Sequence, residues 1–93
     1  MHLTYLSAHM YLLSKDLVKA NKELVRLHKK IEKYTHKYHK ASAEDKPKFK
    51  NKVEKRTHQY KQLQQERQKL LHKLHEFSAG FARVLQQEAH SKH

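Results

Sequence analysis

Six of the ten histidines in this 93-residue chain form pairs three residues apart. On an α-helix this spacing brings two imidazoles close together on one face. The chain has no cysteine, and no Asp or Glu completes a ligand set at a typical zinc-site spacing. We therefore expect neither a functional metal site nor a cofactor, and we interpret the histidines as charges that titrate with pH. The three pairs are His36/His39, His72/His75 and His90/His93.

The residue patterns that position catalytic groups are missing from the sequence. It contains no glycine-rich phosphate loop, no nucleophile elbow and no pair of carboxylates in apolar surroundings. The single glycine, Gly80, lies in a stretch that is predicted to be helical, where it costs about 1 kcal/mol relative to alanine. Two explanations account for a glycine here: another helix approaches closely at this position, or the helix simply tolerates the lower stability. We expect that the protein is not an enzyme.

Positive charge dominates the composition, with 21 Lys and Arg against nine Asp and Glu and a net charge of +12. Residues 26–61 hold thirteen of these basic residues and only four acidic ones. A charge of this size predicts a polyanionic partner, such as a nucleic acid or an acidic protein, or else a surface that keeps the protein in solution. The predicted polyanion-binding residues are Arg26, Lys29, Lys30, Lys33, Lys37, Lys40, Lys46, Lys48, Lys50, Lys52, Lys55 and Lys61.

The element that must position the first of these charges is a stretch of apolar residues at alternating steps of three and four. This spacing is typical of the a and d positions of a coiled coil and predicts a helix over about residues 3–39. Its twelve seam positions contain neither a charged residue nor a glycine. They are Leu3, Leu6, Met10, Leu13, Leu17, Ala20, Leu24, Leu27, Ile31, Tyr34, Tyr38 and Ala41.

A second stretch repeats the spacing from Phe49 to Glu88 and predicts a second helix over about residues 47–88, with a frayed tail at 89–93. Residues 40–46 form the predicted turn, and Pro47 suits the first turn of a helix. The two seams pair antiparallel when partner numbers add to 87, which places the midpoint inside this turn. We predict a single all-α domain, an antiparallel two-helix coiled-coil hairpin. The second seam is Phe49, Val53, Arg56, Tyr60, Leu63, Arg67, Leu70, Leu74, Phe77, Phe81, Val84 and Glu88.

One side of this hairpin carries no Lys, Arg, Asp or Glu at the e positions that flank the seam. A two-helix seam buries little surface, so we predict that this side completes a four-helix bundle by dimerisation or contacts a helical partner. A merely polar face is the alternative interpretation. The predicted association residues are Tyr11, Val18, Val25, Leu71 and Leu85.

Two functions follow as hypotheses. The first is a self-associating basic hairpin that binds nucleic acid or another polyanion through its lysine-rich turn end. In this hypothesis, four aromatic residues lie among the basic residues of the turn end but occupy seam positions. We therefore interpret them as packing residues rather than base-stacking ones. They are Tyr34, Tyr38, Phe49 and Tyr60. The second is a protein-interaction module, such as a chaperone, adaptor or scaffold subunit, that contacts a partner helix through its uncharged side.

The first fourteen residues carry no Lys, Arg, Asp or Glu, which raises the question of a cleaved signal or a membrane anchor. No basic segment precedes them, and their apolar residues stay in phase with the helix that follows. The stretch is also too short to span a bilayer. We expect an intracellular, cytoplasmic protein without integral membrane insertion.

Overall fold

A computed structural model shows two α-helices joined by a short turn. It describes residues 3–91 and the side-chain surroundings of residues 3–89. Helix α1 spans Leu3–Lys40 and helix α2 spans Lys46–Ser91, and the described residues contain no strand. The predicted fold class, an all-α antiparallel hairpin of two helices, is confirmed.

The turn forms a short hydrogen-bonded connection between the helices. The Ser42 carbonyl accepts the N–H groups of Asp45 at 3.1 Å and of Lys46 at 3.0 Å. The Asp45 carbonyl then accepts the N–H of Phe49 at 3.4 Å, a bond with the four-residue spacing of an α-helix. Pro47 lies in this first turn, where its missing N–H leaves no bond unmade. The helix thus begins at Lys46, one residue before the predicted start.

Helix α2 extends beyond its predicted end. The prediction placed that end at about Glu88 and a frayed tail at 89–93, and α2 continues to Ser91. Fraying of the tail stays a prediction. Residue 89 is an alanine, the residue type with the highest helix propensity, and no glycine or proline follows Ala89 to end the helix. Residues 92 and 93 lie outside the described residues.

One compact unit, which we call the terminal half, comprises residues 3–19 and 67–91. Its most buried side chain is Leu6, with 2% of its surface exposed. The His9 ring stacks on the Phe77 ring at a centroid distance of 5.0 Å, with 3° between the planes. Phe77 is the predicted seam partner of Met10, so this contact lies within one residue of the predicted pair.

A second compact unit, which we call the turn half, comprises residues 20–66. Ala20, Leu24 and Leu27 are buried in it. The Nζ atom of Lys52 lies 5.1 Å from the centroid of the Tyr34 ring. Val53 is the predicted partner of Tyr34, so here too the observed contact is adjacent to the predicted one.

The core is contributed unequally by the two helices. The five buried hydrophobic residues of the described chain all come from the α1 seam, whereas the apolar seam residues of α2 are half-buried. Of the polar seam positions of α2, Arg67 and Glu88 are exposed and Arg56 is half-buried. Arg56 donates from Nη1 to Oε1 of Gln59 at 3.1 Å, so its guanidinium bonds within its own helix. The seam is thus more buried on its α1 side than on its α2 side. The five buried residues are Leu6, Leu17, Ala20, Leu24 and Leu27.

Candidate polyanion-binding surface

Five of the six predicted binding residues of α1 form a stripe along one side of the helix. Steps of three and four residues separate them, which places their side chains above one another on an α-helix. Lys30 lies beside the stripe and is half-buried, whereas the members of the stripe are exposed. The stripe consists of Arg26, Lys29, Lys33, Lys37 and Lys40.

The lysines of α2 are distributed differently. Four of them occupy every second position from residue 46 to residue 52, so successive side chains point to opposite sides of the helix. Phe49, within this run, and Val53, directly after it, are half-buried. All the predicted binding lysines of α2 are exposed. They are Lys46, Lys48, Lys50, Lys52, Lys55 and Lys61.

Aromatic rings of the seam lie close to several of these ammonium groups. Lys52 Nζ is 5.1 Å from the Tyr34 ring centroid and 5.8 Å from that of Phe49. Lys46 Nζ is 5.5 Å from the Tyr38 ring centroid. Each such contact contributes about 0.5–1 kcal/mol at an exposed site. The aromatic side chains therefore stabilise the ammonium groups of these lysines near the rings, and they also pack in the seam.

Carboxylates do little to neutralise this charge. Glu23 forms an ion pair with Arg26, and Oε1 of Glu32 lies 2.8 Å from Nε2 of His28. The hydrogen bond from Arg26 to Glu23 raises the pKa of the Arg26 guanidinium, so this residue already has a partner that competes with an external anion. Within the described residues, no lysine of the turn half lies in an ion pair. The lysines are therefore available to external anions.

An open groove of about 340 Å³ lies between the two helices in the turn half. Tyr38 and Val53, both half-buried, supply apolar surface to it. Its polar groups are two hydroxyls, an imidazole, an ammonium and a carboxylate, a set that includes hydrogen-bond donors and acceptors. We call it the turn-half groove, and its lining residues are Thr35, Tyr38, His39, Lys50, Val53 and Glu54.

The predicted association residues are all exposed in the single chain. In the terminal half, Tyr11 is 62% exposed, Val18 52%, Leu71 38% and Leu85 46%. Val25, in the turn half, is 55% exposed. These side chains present apolar surface that the chain itself does not cover. That a second chain or a helical partner covers them stays a prediction.

The histidines contact carboxylates and rings rather than one another in the contacts that the structure shows. Nε2 of His72 lies 3.0 Å from Oε1 of Glu76, a pair whose four-residue spacing was visible in the sequence but was not singled out there. No group of three or more His, Cys, Asp or Glu side chains among the described residues is arranged to hold a metal ion. The predicted pair His90/His93 lies outside the described side chains.

Comparison of the chain with protein family models, curated proteins and solved structures found no match. Neither α1 nor α2, over their described residues, combines the length and apolar character needed to cross a membrane.

Proposed function

We propose that this protein is a non-enzymatic helical hairpin that self-associates and binds nucleic acid or another polyanion through its turn half. The observation that supports this proposal is the set of exposed lysines in residues 20–66, none of which is in an ion pair within the described chain. This unit contains fourteen basic and six acidic residues. Its charge is therefore not balanced by its own side chains.

Binding of this kind draws its free energy from the release of counterions that surround a polyanion. Each lysine that neutralises a phosphate releases about 0.9 counterion from duplex DNA or about 0.7 from a single strand. The exposed lysine side chains need no fixed geometry to neutralise phosphates. Phosphate contacts position a protein on a nucleic acid but do not read its base sequence. We therefore expect affinity that depends strongly on salt and little on sequence.

The proposal is tested by measuring affinity for duplex DNA, RNA and single strands over a range of salt concentrations. Replacing Lys48, Lys50, Lys52 and Lys55 with glutamine should make the log-log slope shallower by about 0.7–0.9 for each phosphate that the variant no longer neutralises. These residues are exposed, so the helices should persist in circular dichroism spectra.

A matched control removes the same charge from the terminal half by replacing Lys15, Lys19, Lys69 and Lys73 with glutamine. The slope should change much less in this variant, since the four lysines lie outside the turn half. Equal changes in both variants would contradict the assignment to the turn half. Polyanion binding itself is refuted if, at low salt, the wild-type protein binds neither the three nucleic acids nor an acidic polypeptide.

A second candidate function is supported by a different observation. The exposed apolar residues of the terminal half, with Leu71 and Val18 among them, offer surface for a partner helix. In this alternative the protein is a chaperone, adaptor or scaffold subunit, and its lysines only keep it in solution. The absence of polyanion binding together with a stable protein complex would favour it.

A further inference from the structure

We infer that the turn half binds single-stranded rather than duplex nucleic acid, with one unstacked base in the turn-half groove. This inference rests on the proposed function and names its substrate class. It is based on the groove between α1 and α2, which combines an aromatic ring, an aliphatic side chain and polar groups within a field of unpaired lysines.

The apolar part of the groove fits the face of a base. Tyr38 and Val53 line it and are half-buried, so part of the Tyr38 side chain is accessible from the groove. The volume of about 340 Å³ is at the lower end of ligand pockets, which hold about 300–1,000 Å³. Bases expose their faces in single strands, whereas a duplex stacks them against one another. The groove therefore favours the single-stranded form.

The polar part of the groove fits the edge of a base. The Glu54 carboxylate accepts hydrogen bonds from ring N–H or exocyclic amino groups, and the Thr35 hydroxyl both donates and accepts. A carboxylate at this place repels a phosphate. Of the two portions of a nucleotide, the base is thus the one that suits the groove next to Glu54.

The surrounding charge fits the backbone of the same strand. Lys50 lines the groove, and Lys46 Nζ lies over the Tyr38 ring at 5.5 Å from its centroid. A base that stacks on this ring displaces the flexible Lys46 side chain, whose ammonium group then turns to the neighbouring phosphate. A strand with its base on Tyr38 carries phosphates on either side of that base, within reach of flexible lysine side chains. Single-strand binding proteins combine stacking rings with a basic track in this way.

The inference is tested by fluorescence anisotropy with three ligands of equal length: a thymidine oligonucleotide, an abasic strand with the same number of phosphates, and a duplex. Wild-type protein should bind the thymidine strand about 5- to 150-fold more tightly than the abasic strand, as expected for one stacked base. It should also bind that strand more tightly than the duplex.

Substitutions then locate the base. Tyr38→Leu keeps an apolar side chain in the seam but removes the ring, so the affinities for the thymidine and abasic strands should become equal. Tyr38→Phe should retain the wild-type difference. Tyr5→Leu is the matched control, because Tyr5 is 50% exposed but belongs to the terminal half, and it should change neither affinity. Circular dichroism checks that each variant is folded.

The outcomes separate this inference from the proposed function. Equal binding of the thymidine and abasic strands by the wild-type protein, or tighter binding of the duplex, overturns the inference and leaves the proposal of phosphate binding intact. Binding of none of the three ligands at low salt overturns the inference and removes nucleic acid from the proposed function. The wild-type comparison needs no substitution, so it decides the question even if Tyr38→Leu does not fold.

Discussion

At the scale of single residues, the contacts within this chain do not require a glycine at position 80. Its backbone has no positive φ angle, so no conformation reserved for glycine is required. A Cβ atom built at this position meets Leu6 Cδ2 at 4.0 Å, an ordinary van der Waals distance. The sequence left open whether another helix approaches closely here, and the contacts within the chain leave room for a methyl group.

We therefore predict that Gly80→Ala raises the free energy of unfolding by about 1 kcal/mol, because alanine loses less conformational entropy in a helix interior. Urea denaturation followed by circular dichroism measures the change. The neighbouring substitution Ala79→Gly is the matched control and should lower the same quantity by a similar amount. A less stable Gly80→Ala variant would show that Leu6 cannot accommodate the added methyl group.

At the scale of the helices, the alternating spacing of apolar residues predicted both the elements and their partners. Contacts in each compact unit lie within one residue of the predicted pairs, as between His9 and Phe77 in the terminal half and between Tyr34 and Lys52 in the turn half. The pairing follows from the two seams because an antiparallel hairpin of fixed turn position has one register that aligns them. The register should therefore be directly measurable.

We predict that cysteines introduced at Leu13 and Leu74 form a disulfide within one chain under mild oxidation. Both residues are half-buried seam positions of the terminal half and are predicted partners, and a disulfide requires Cβ atoms about 3.5–4.5 Å apart. Thiol titration and mobility on a denaturing gel detect the bond. The control pair Leu12→Cys and Leu74→Cys should stay reduced, since Leu12 is 56% exposed. Crosslinks formed only between chains would contradict the hairpin register.

At the scale of the whole molecule, the exposed apolar side chains support the proposed self-association. Among the described residues, Tyr11 is 62% exposed, Val18 52% and Leu71 38%. Association through the terminal half would cover apolar side chains that the single chain leaves in water.

We predict that Val18→Glu combined with Leu71→Glu yields a monomer. Both residues are exposed in the single chain, so the substitutions should change the free energy of unfolding of the monomer by only about 0.5 kcal/mol each. In an apolar interface the two unpaired charges would cost several kcal/mol, and the variant should lose the stability that association contributes. Light scattering coupled to size-exclusion chromatography should give about twice 11.2 kDa for the wild type and 11.2 kDa for the variant.

Leu12→Glu is the control for this experiment. It places a charge on an exposed apolar residue of the same helix that is not a predicted association residue, and it should leave the mass unchanged. A wild-type protein that is monomeric at all concentrations would refute self-association. An oligomer that persists in the double variant would place the interface on other residues.

The sequence by itself determined the two helices, the turn and the seam. Helix periodicity is local, so the positions of Leu6, Leu24 and Tyr38 on one face follow from their spacing alone. The same spacing indicated that the lysines away from the seam are exposed, because one partner helix cannot cover them all, and among the predicted binding lysines only Lys30 is half-buried. The bounds of α2, Lys46 and Ser91, differ from the predicted ones by one to three residues, because local signals are weakest at helix ends.

Only the tertiary structure decided how side chains from the two helices combine. The turn-half groove joins Thr35 and Tyr38 with Lys50 and Glu54, and the ring of Tyr34 meets the ammonium group of Lys52. These contacts depend on the rotation of each helix about its axis and on the rotamers chosen at the interface, neither of which is encoded by spacing. The unequal burial of the two seams has the same origin, because burial depends on how the facing side chains cover one another.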